Sequence, residues 1–210
     1  MKTPFKVPGH HLFPDVAASN IQYMPTLKEF LDNFNGCTLP NELMQFLEFQ
    51  NRSDGDVFSE GFEFSTDEKQ GLYYGWSKDP DFLNNLFPFA RANYSGSFYA
   101  FWRNSAATDL NDMPIAIFGD EGGEHIVAEN FLQLLKILTF DAEPMVSHDK
   151  VIYYKDEEDY RPSPKSDSFK KWIRASFNID PIDSADEIVH LAQEKYGRSF
   201  NDWKLKYLKV

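Results

Sequence analysis

The sequence predicts an α+β fold: a curved, mostly antiparallel sheet with helices packed on one side, plus a C-terminal helical appendage. Strand-like segments over 86–102 and 113–128 are separated by glycine-containing turns. Segments with helical periodicity precede and follow them. The chain has 210 residues, 42% hydrophobic and 16% aromatic, which is enough to bury a substantial core.

Four segments are predicted along the chain. Residues 1–25 are rich in proline, glycine and small polar residues, and we interpret them as an irregular N-terminal arm. Residues 26–140 form the α+β domain. An acidic run and a proline-rich stretch predict a linker over 141–168. Residues 169–210 show helical periodicity and are predicted as a C-terminal extension of three amphipathic helices, the third starting near Ser199.

Two helices open the predicted domain. The first begins at Thr26, which has capping-box spacing to Glu29. The second begins at Pro40, because proline is favoured at a first helical position. Their apolar side chains recur three and four residues apart, as expected for buried helix faces. These side chains are Leu27, Phe30, Leu31 and Phe34 in the first helix, and Leu43, Phe46 and Leu47 in the second.

The remaining elements of the domain follow in order. After a polar loop at 51–61, aromatic and polar residues alternate over 62–76 and predict a hairpin. Asp79-Pro80 predicts a short helical turn. The strand 113–118 is apolar on both faces and is expected inside the sheet. The other predicted segments are strands 87–91 and 97–103 around the turn 92–96, a loop at 104–112, a turn at 119–123, a strand at 125–128 and a helix from about Asn130.

The charge balance bears on possible partners. The chain has 21 basic and 33 acidic residues, a formal net charge of −12. This charge disfavours direct binding of nucleic acid, since phosphates would be repelled. It favours a basic protein partner, such as a nuclease. An acidity that only keeps the protein soluble is the alternative.

The single cysteine and the lack of long apolar segments predict a cytoplasmic protein. A single cysteine, Cys37, excludes an intrachain disulfide and fits a reducing compartment. The first residues contain no apolar run of signal-peptide length, and no segment approaches the ~20 apolar residues of a membrane span. We therefore expect neither secretion nor membrane insertion.

The search for reactive residues predicts no catalytic, metal or cofactor site. His10, His11, His125, His148 and His190 lack the spacing of metal ligands, and His125 is expected to be partly buried in a strand. Ser95 lacks the preceding glycine of a nucleophile elbow, and Cys37 has no nearby histidine in sequence.

The loops suggest no phosphate or calcium site. The glycines of the 119–123 turn lead into a strand, whereas a phosphate-binding loop leads into a helix. Asp54-Gly55-Asp56 resembles the start of a calcium loop, but Phe58 and Ser59 occupy positions that need a ligand and a glycine.

Acidic pairs occur at Asp67/Glu68, Asp120/Glu121 and over 156–159. Neighbouring acids in a turn or strand point apart, so the expected state is a solvated surface. Docking onto a basic partner is the second interpretation. A hydrolase that uses Glu121 as a cleft acid is the least favoured one.

Three motifs, in this order, resemble the SUKH superfamily. They are Leu39-Pro40-Asn41-Glu42-Leu43; Phe87-Pro88-Phe89-Ala90 with Ser95-Gly96-Ser97-Phe98-Tyr99-Ala100-Phe101-Trp102; and Pro114-Ile115-Ala116-Ile117-Phe118-Gly119-Asp120-Glu121-Gly122-Gly123 before a leucine-rich helix. The resemblance covers about residues 26–138. It implies an interaction scaffold without catalytic residues, of the kind that includes fungal cell-wall-synthesis regulators and bacterial immunity proteins. The C-terminal helices and the long 51–61 loop depart from it.

These observations lead to a functional hypothesis. We expect a non-catalytic immunity protein that neutralises a basic toxin, encoded nearby, by binding it. A regulatory scaffold that docks other proteins through its C-terminal helices is the alternative. The predicted partner surface combines exposed acids with an aromatic turn residue. Its members are Asp54, Asp56, Tyr94, Asp120 and Glu121.

Overall fold

The computed structural model describes residues 27–34, 37–53, 56–66, 68–104, 109–156 and 158–208. The predicted arm at 1–25 and the predicted site residue Asp54 lie outside these ranges. The helices are α1 (Leu27–Asp32), α2 (Asn41–Arg52), α3 (Glu68–Gly75), α4 (Pro80–Asn84), α5 (Phe131–Leu138), α6 (Ser166–Phe177) and α7 (Asp186–Lys204). The strands are β1 (Glu63–Phe64), β2 (Leu86–Arg91), β3 (Phe98–Trp102), β4 (Ile115–Phe118), β5 (Glu124–Ala128), β6 (Pro144–Val146) and β7 (Val151–Tyr153).

Strands β1 to β5 form one antiparallel sheet in chain order, so the α+β prediction is confirmed. In such a sheet, the β2–β3 turn and the β4–β5 turn lie at the same end. Because Glu63 pairs with Arg91, the loop before β1 also arrives at this end. Three connections therefore converge there, and they position the candidate site.

Both faces of the sheet are buried. Side chains of β3 alternate between them, with Tyr99 and Phe101 on one face and Phe98 and Trp102 on the other. Helices α2, α5 and α6 cover the first face, and α3, α4 and most of α7 cover the second. The C-terminal helix thus supplies a second core, where the sequence predicted an appendage. This explains why the central strands are apolar on both faces.

Phe46 of α2 lies at the centre of the first core. Its ring contacts aromatic rings from α2 itself, from the loop before β1, and from β1, α5 and α6, with centroids between 5.2 and 6.5 Å away. Aromatic pairs favour tilted and edge-to-face geometries. Many of the phenylalanines of this chain pack in this core. The rings around Phe46 are Phe49, Phe58, Phe62, Phe64, Phe131, Phe169 and Trp172.

The predicted hairpin at 62–76 is wrong in its second half. β1 pairs with β2, and residues 68–75 form helix α3. Leu72 is buried and Trp76, four residues later, is half-buried, while Tyr74 between them is 77% exposed. A strand would place all three on one face, whereas a helix separates Tyr74 from the other two.

The predicted linker also differs from the structure. Residues 144–153 form the antiparallel hairpin β6–β7, in which Val151 and Tyr153 are buried. The hydroxyl groups of Tyr153 and Tyr99 lie 2.9 Å apart in the first core. Each strand has only three residues, which is too short for an alternating pattern to be recognised in the sequence. The acidic run that follows therefore led to the prediction of a linker.

The C-terminal extension contains two helices, where three were predicted. Ser199 lies inside α7 and does not start a helix. The inward-facing residues keep a spacing of three or four through Gly197, so the helical face is never interrupted. They are Val189, Ala192, Tyr196, Phe200 and Trp203.

Candidate functional site

Glu60, Tyr94, Asp120, Glu121 and Glu143 form a surface at the end of the sheet where the turns converge, and we call it the turn-end surface. Glu60 lies in the loop before β1, and Tyr94 in the β2–β3 turn. Asp120 and Glu121 lie in the β4–β5 turn, and Glu143 directly precedes β6. Antiparallel pairing brings together residues that are far apart in sequence.

Asp120 joins the two turns of the sheet. Its Oδ1 accepts hydrogen bonds from the hydroxyls of Ser95, at 3.0 Å, and Ser97, at 2.7 Å. Burial opposes its charge, but these bonds and the backbone amides of Asp120 and Glu121 outweigh burial, so the pKa of Asp120 is lowered. In this contact the serines donate to a carboxylate, whereas a nucleophilic serine donates to an imidazole.

Tyr94 is held by the segment that enters β6. Its backbone N–H donates to Oε2 of Glu143 at 3.1 Å, and the side-chain amide of Asn93 donates to the carbonyl of Pro144 at 3.1 Å. The Tyr94 side chain remains 68% exposed. An aromatic side chain is thus presented to solvent from a fixed backbone, which lowers the entropy cost of binding.

Gly61 lies next to the Tyr94 turn, in a space too narrow for a side chain. Its φ is +72°, and a Cβ at this position would lie 2.8 Å from Cα of Asn93 and 2.9 Å from Cβ of Glu143. Only glycine combines this backbone conformation with such a close approach. The loop before β1, the β2–β3 turn and the start of β6 are therefore packed together by their backbones.

Glu60 and Tyr94 influence each other's ionisation. Burial raises the pKa of Glu60, and the neighbouring charges of Asp141 and Glu143 raise it further. Burial and the Glu60 charge likewise raise the pKa of the Tyr94 hydroxyl. The surface thus concentrates negative charge that a positive partner would stabilise.

Asp141, a buried residue next to the turn-end surface, holds the Glu60 backbone in place. This buried residue has φ of 59° and accepts a hydrogen bond from the Glu60 N–H at 2.9 Å. It also accepts bonds from the Ser163 N–H at 2.9 Å, the Ser163 hydroxyl at 2.6 Å and the Tyr160 hydroxyl at 2.6 Å. Burial opposes the charge, but the bonds from Ser163 and Tyr160 prevail and lower the pKa of Asp141.

Two clefts flank Tyr94 and Glu60. A cleft of about 250 Å³ lies between Tyr94, Gly61 and Arg91. A second, of about 360 Å³, lies between Glu60, Glu143 and Tyr154. Each has room for one or two side chains of a partner.

The predicted site residues have different locations. Tyr94, Asp120 and Glu121 are brought together and are exposed. Asp56 instead forms an ion pair with Lys165 at 3.2 Å, and Asp54 lies outside the described residues. The sequence reasoning missed Glu60 and Glu143, because only the long-range packing of Gly61 and β6 brings them to the turns.

Two further features of the described residues are the surroundings of His125 and the character of the helices. His125 of β5 is half-buried, with Nε2 2.7 Å from the carbonyl oxygen of Ser147, and burial lowers its pKa. Within the described ranges, no three His, Cys, Asp or Glu side chains are grouped so that they could hold a metal ion. Among the helices described above, none has the length and apolar character needed to cross a membrane.

Comparison with known proteins adds no relative. The chain matches no family model, no curated protein and no solved structure.

Proposed function

We propose that this chain is a non-catalytic immunity protein, which acts in the cytoplasm and neutralises a basic toxin by covering part of its surface. The observation that carries the proposal is Tyr94, exposed on a fixed backbone between Glu60, Glu143 and Asp120. Tyrosine is enriched among binding hot spots, and a rigid backbone lowers the entropy cost of binding. The resemblance of the central motifs to the SUKH superfamily supports the same role.

Charge supports a basic partner. The net charge of −12 attracts a positive protein over a distance of about a Debye length, and the acids at the sheet end give that attraction a direction. Among toxins, a nuclease fits this charge because it must itself bind phosphates. An acidic surface over its nucleic-acid site would block substrate entry.

The test is co-expression of the chain with each protein encoded by the neighbouring genes. We expect one of these proteins to arrest growth alone and to be neutralised by this chain through direct binding. Tyr94→Ala should weaken the complex by about 30-fold or more, the effect of a hot-spot residue. Tyr74→Ala is the matched control, since Tyr74 is also exposed but lies on α3.

Three results would contradict the proposal. The first is the absence of any toxic neighbour that the chain neutralises. The second is equal binding by the Tyr94 and Tyr74 variants. The third is a set of partners made up only of housekeeping proteins, which would favour the regulatory scaffold.

A further inference from the structure

The hairpin β6–β7 has an inward and an outward face. Strand pairing places Pro144 opposite Tyr153 and Val146 opposite Val151, and these residues face the core. Met145 lies opposite Ile152 on the other face. Because side chains alternate along extended backbone, Glu143 and Tyr154 belong to this outward face as well.

The outward face is apolar and open. Met145 is 55% exposed and Tyr154 is 64% exposed, with the half-buried Ile152 between them. Methionine and tyrosine are enriched in the cores of protein interfaces. The face continues into the turn-end surface, because Glu143 both contacts the Tyr94 amide and lines a cleft with Tyr154.

Carboxylates outnumber cations around this face. Glu60, Glu143, Asp156 and Asp159 line the same cleft as Tyr154. The two cations that line the cleft, Lys155 and Arg161, also contact groups of this chain. Lys155 lies 4.1 Å from the ring centre of Tyr160 and 4.4 Å from that of Phe140.

Arg161 is similarly occupied, because its guanidinium donates to the carbonyls of Glu158 and Tyr160. Lys150 lies at the opposite tip of the hairpin. The cleft therefore presents carboxylates beside exposed apolar side chains.

We propose that the outward face of β6–β7, defined by Met145, Ile152 and Tyr154, binds an extended basic segment of a protein partner. An apolar side chain of that segment would pack between Met145 and Tyr154. A flanking lysine or arginine would enter the cleft beside Glu60 and Glu143. This inference rests on the proposed function in assigning the segment to the toxin.

Charge complementarity decides between the possible occupants. A second copy of this chain would bring the same carboxylates against each other, which disfavours a symmetric dimer. Nucleic acids and anionic lipid surfaces carry the same sign of charge as the cleft. A basic protein segment satisfies both the apolar strip and its acidic border.

The test uses a phage-displayed library of random peptides, selected on the full chain and on the variants Met145→Lys and Tyr154→Ala. Selection on the wild type should enrich peptides in which lysine or arginine flanks a large apolar residue. Each variant should bind the selected peptides at least ~10-fold more weakly. Tyr74→Ala should bind them as the wild type does. The folded state of every variant is checked by its thermal unfolding.

The outcomes separate this inference from the proposed function. Basic peptides that need Met145 and Tyr154 support it even if no neighbouring toxin is neutralised. It is overturned if the selected peptides lack basic character or if no peptides are enriched. It is also overturned if Met145→Lys and Tyr154→Ala bind the selected peptides as tightly as the wild type does. Sedimentation that shows a dimer lost in Met145→Lys would assign the face to a second copy and would also overturn it.

Discussion

The carboxylate of Glu143 accepts a hydrogen bond from the backbone amide of Tyr94, 49 positions away in sequence. This contact joins the β2–β3 turn of the large sheet to the first strand of the small one. It therefore holds the backbone from which the exposed Tyr94 side chain extends.

Replacing Glu143 by alanine should loosen the Tyr94 turn. A hydrogen bond to a charged group contributes about 1.5–3 kcal/mol, so protection of the Tyr94 amide should fall by roughly 10- to 100-fold. Hydrogen exchange followed by NMR measures this directly. Glu121→Ala is the control, because Glu121 lies on the same surface but does not accept this bond. Equal exchange of Tyr94 in both variants would show that the contact does not hold the turn.

Gly61→Ala should destabilise the protein by about 3 kcal/mol or more. An alanine is strained at φ of +72°, and its Cβ would overlap Asn93 and Glu143. Urea unfolding gives the free energy of unfolding. Gly75→Ala, at the end of α3, should leave it unchanged or raise it by up to about 1 kcal/mol, since nothing lies within 4 Å of the added atom and alanine favours a helix more than glycine does. A Gly61→Ala variant as stable as the wild type would contradict the packing described here.

Asp141→Asn should lower the free energy of unfolding at pH 7 by about 3 kcal/mol, because an amide nitrogen would face two donors. Asparagine tolerates positive φ, so the loss reports the hydrogen bonds and not the backbone. The folded-state pKa of Asp141 is lowered, so its stabilisation is present above its ordinary pKa of 3.8. It is lost as the pH falls below that value.

The pH dependence gives an internal check on Asp141. Urea unfolding between pH 7 and pH 3 should show the wild type and the variant becoming more alike in acid. The pKa of Glu60, which the Asp141 charge raises, should move down in the variant. A difference in stability that stays constant down to pH 3 would argue against an ionised Asp141.

Lys204→Met should destabilise the packing of α7 on the sheet. Lys204 Nζ contacts Glu124 Oε2 at 3.1 Å, and both side chains are largely buried. Glu124 also accepts a hydrogen bond from the Trp76 indole at 2.8 Å. Removing the cation leaves a poorly solvated carboxylate, which costs about 2–3 kcal/mol.

The exposed pair between Arg52 and Glu48 on α2 is the matched control for Lys204. Arg52→Met should change the free energy of unfolding by less than about 0.5 kcal/mol, because water already solvates both charges. Thermal and urea unfolding of the two variants side by side make the comparison. Equal effects would mean that burial of the Lys204 pair has no energetic consequence.

Local patterns predicted the sheet well and the site partly. The turns around Tyr94 and Asp120 are encoded by nearby glycine, asparagine and serine residues, so sequence alone located them. Glu143 and Glu60 have no local signal of this kind. Their positions follow from Gly61 and Asp141, which act through contacts across the fold.

The errors at 62–76 and 141–168 have related causes. Leu72 and Trp76 fit either a strand or a helix, and only the exposure of Tyr74 decides between them. β6 and β7 are too short for alternation to stand out beside the acidic run. Tyr153 is paired with Tyr99 in the core, and no local sequence pattern predicts a contact between residues so far apart in the chain.

The position of α7 has a consequence for synthesis of the chain. The face of the sheet with Trp102 and Phe118 is complete once β5 has been made, but the helix that covers much of it is made only after β6, β7 and α6. At ~5–20 residues per second, that interval lasts several seconds. During it a nascent chain carries an uncovered aromatic surface, so chaperone binding or aggregation competes with folding until α7 emerges.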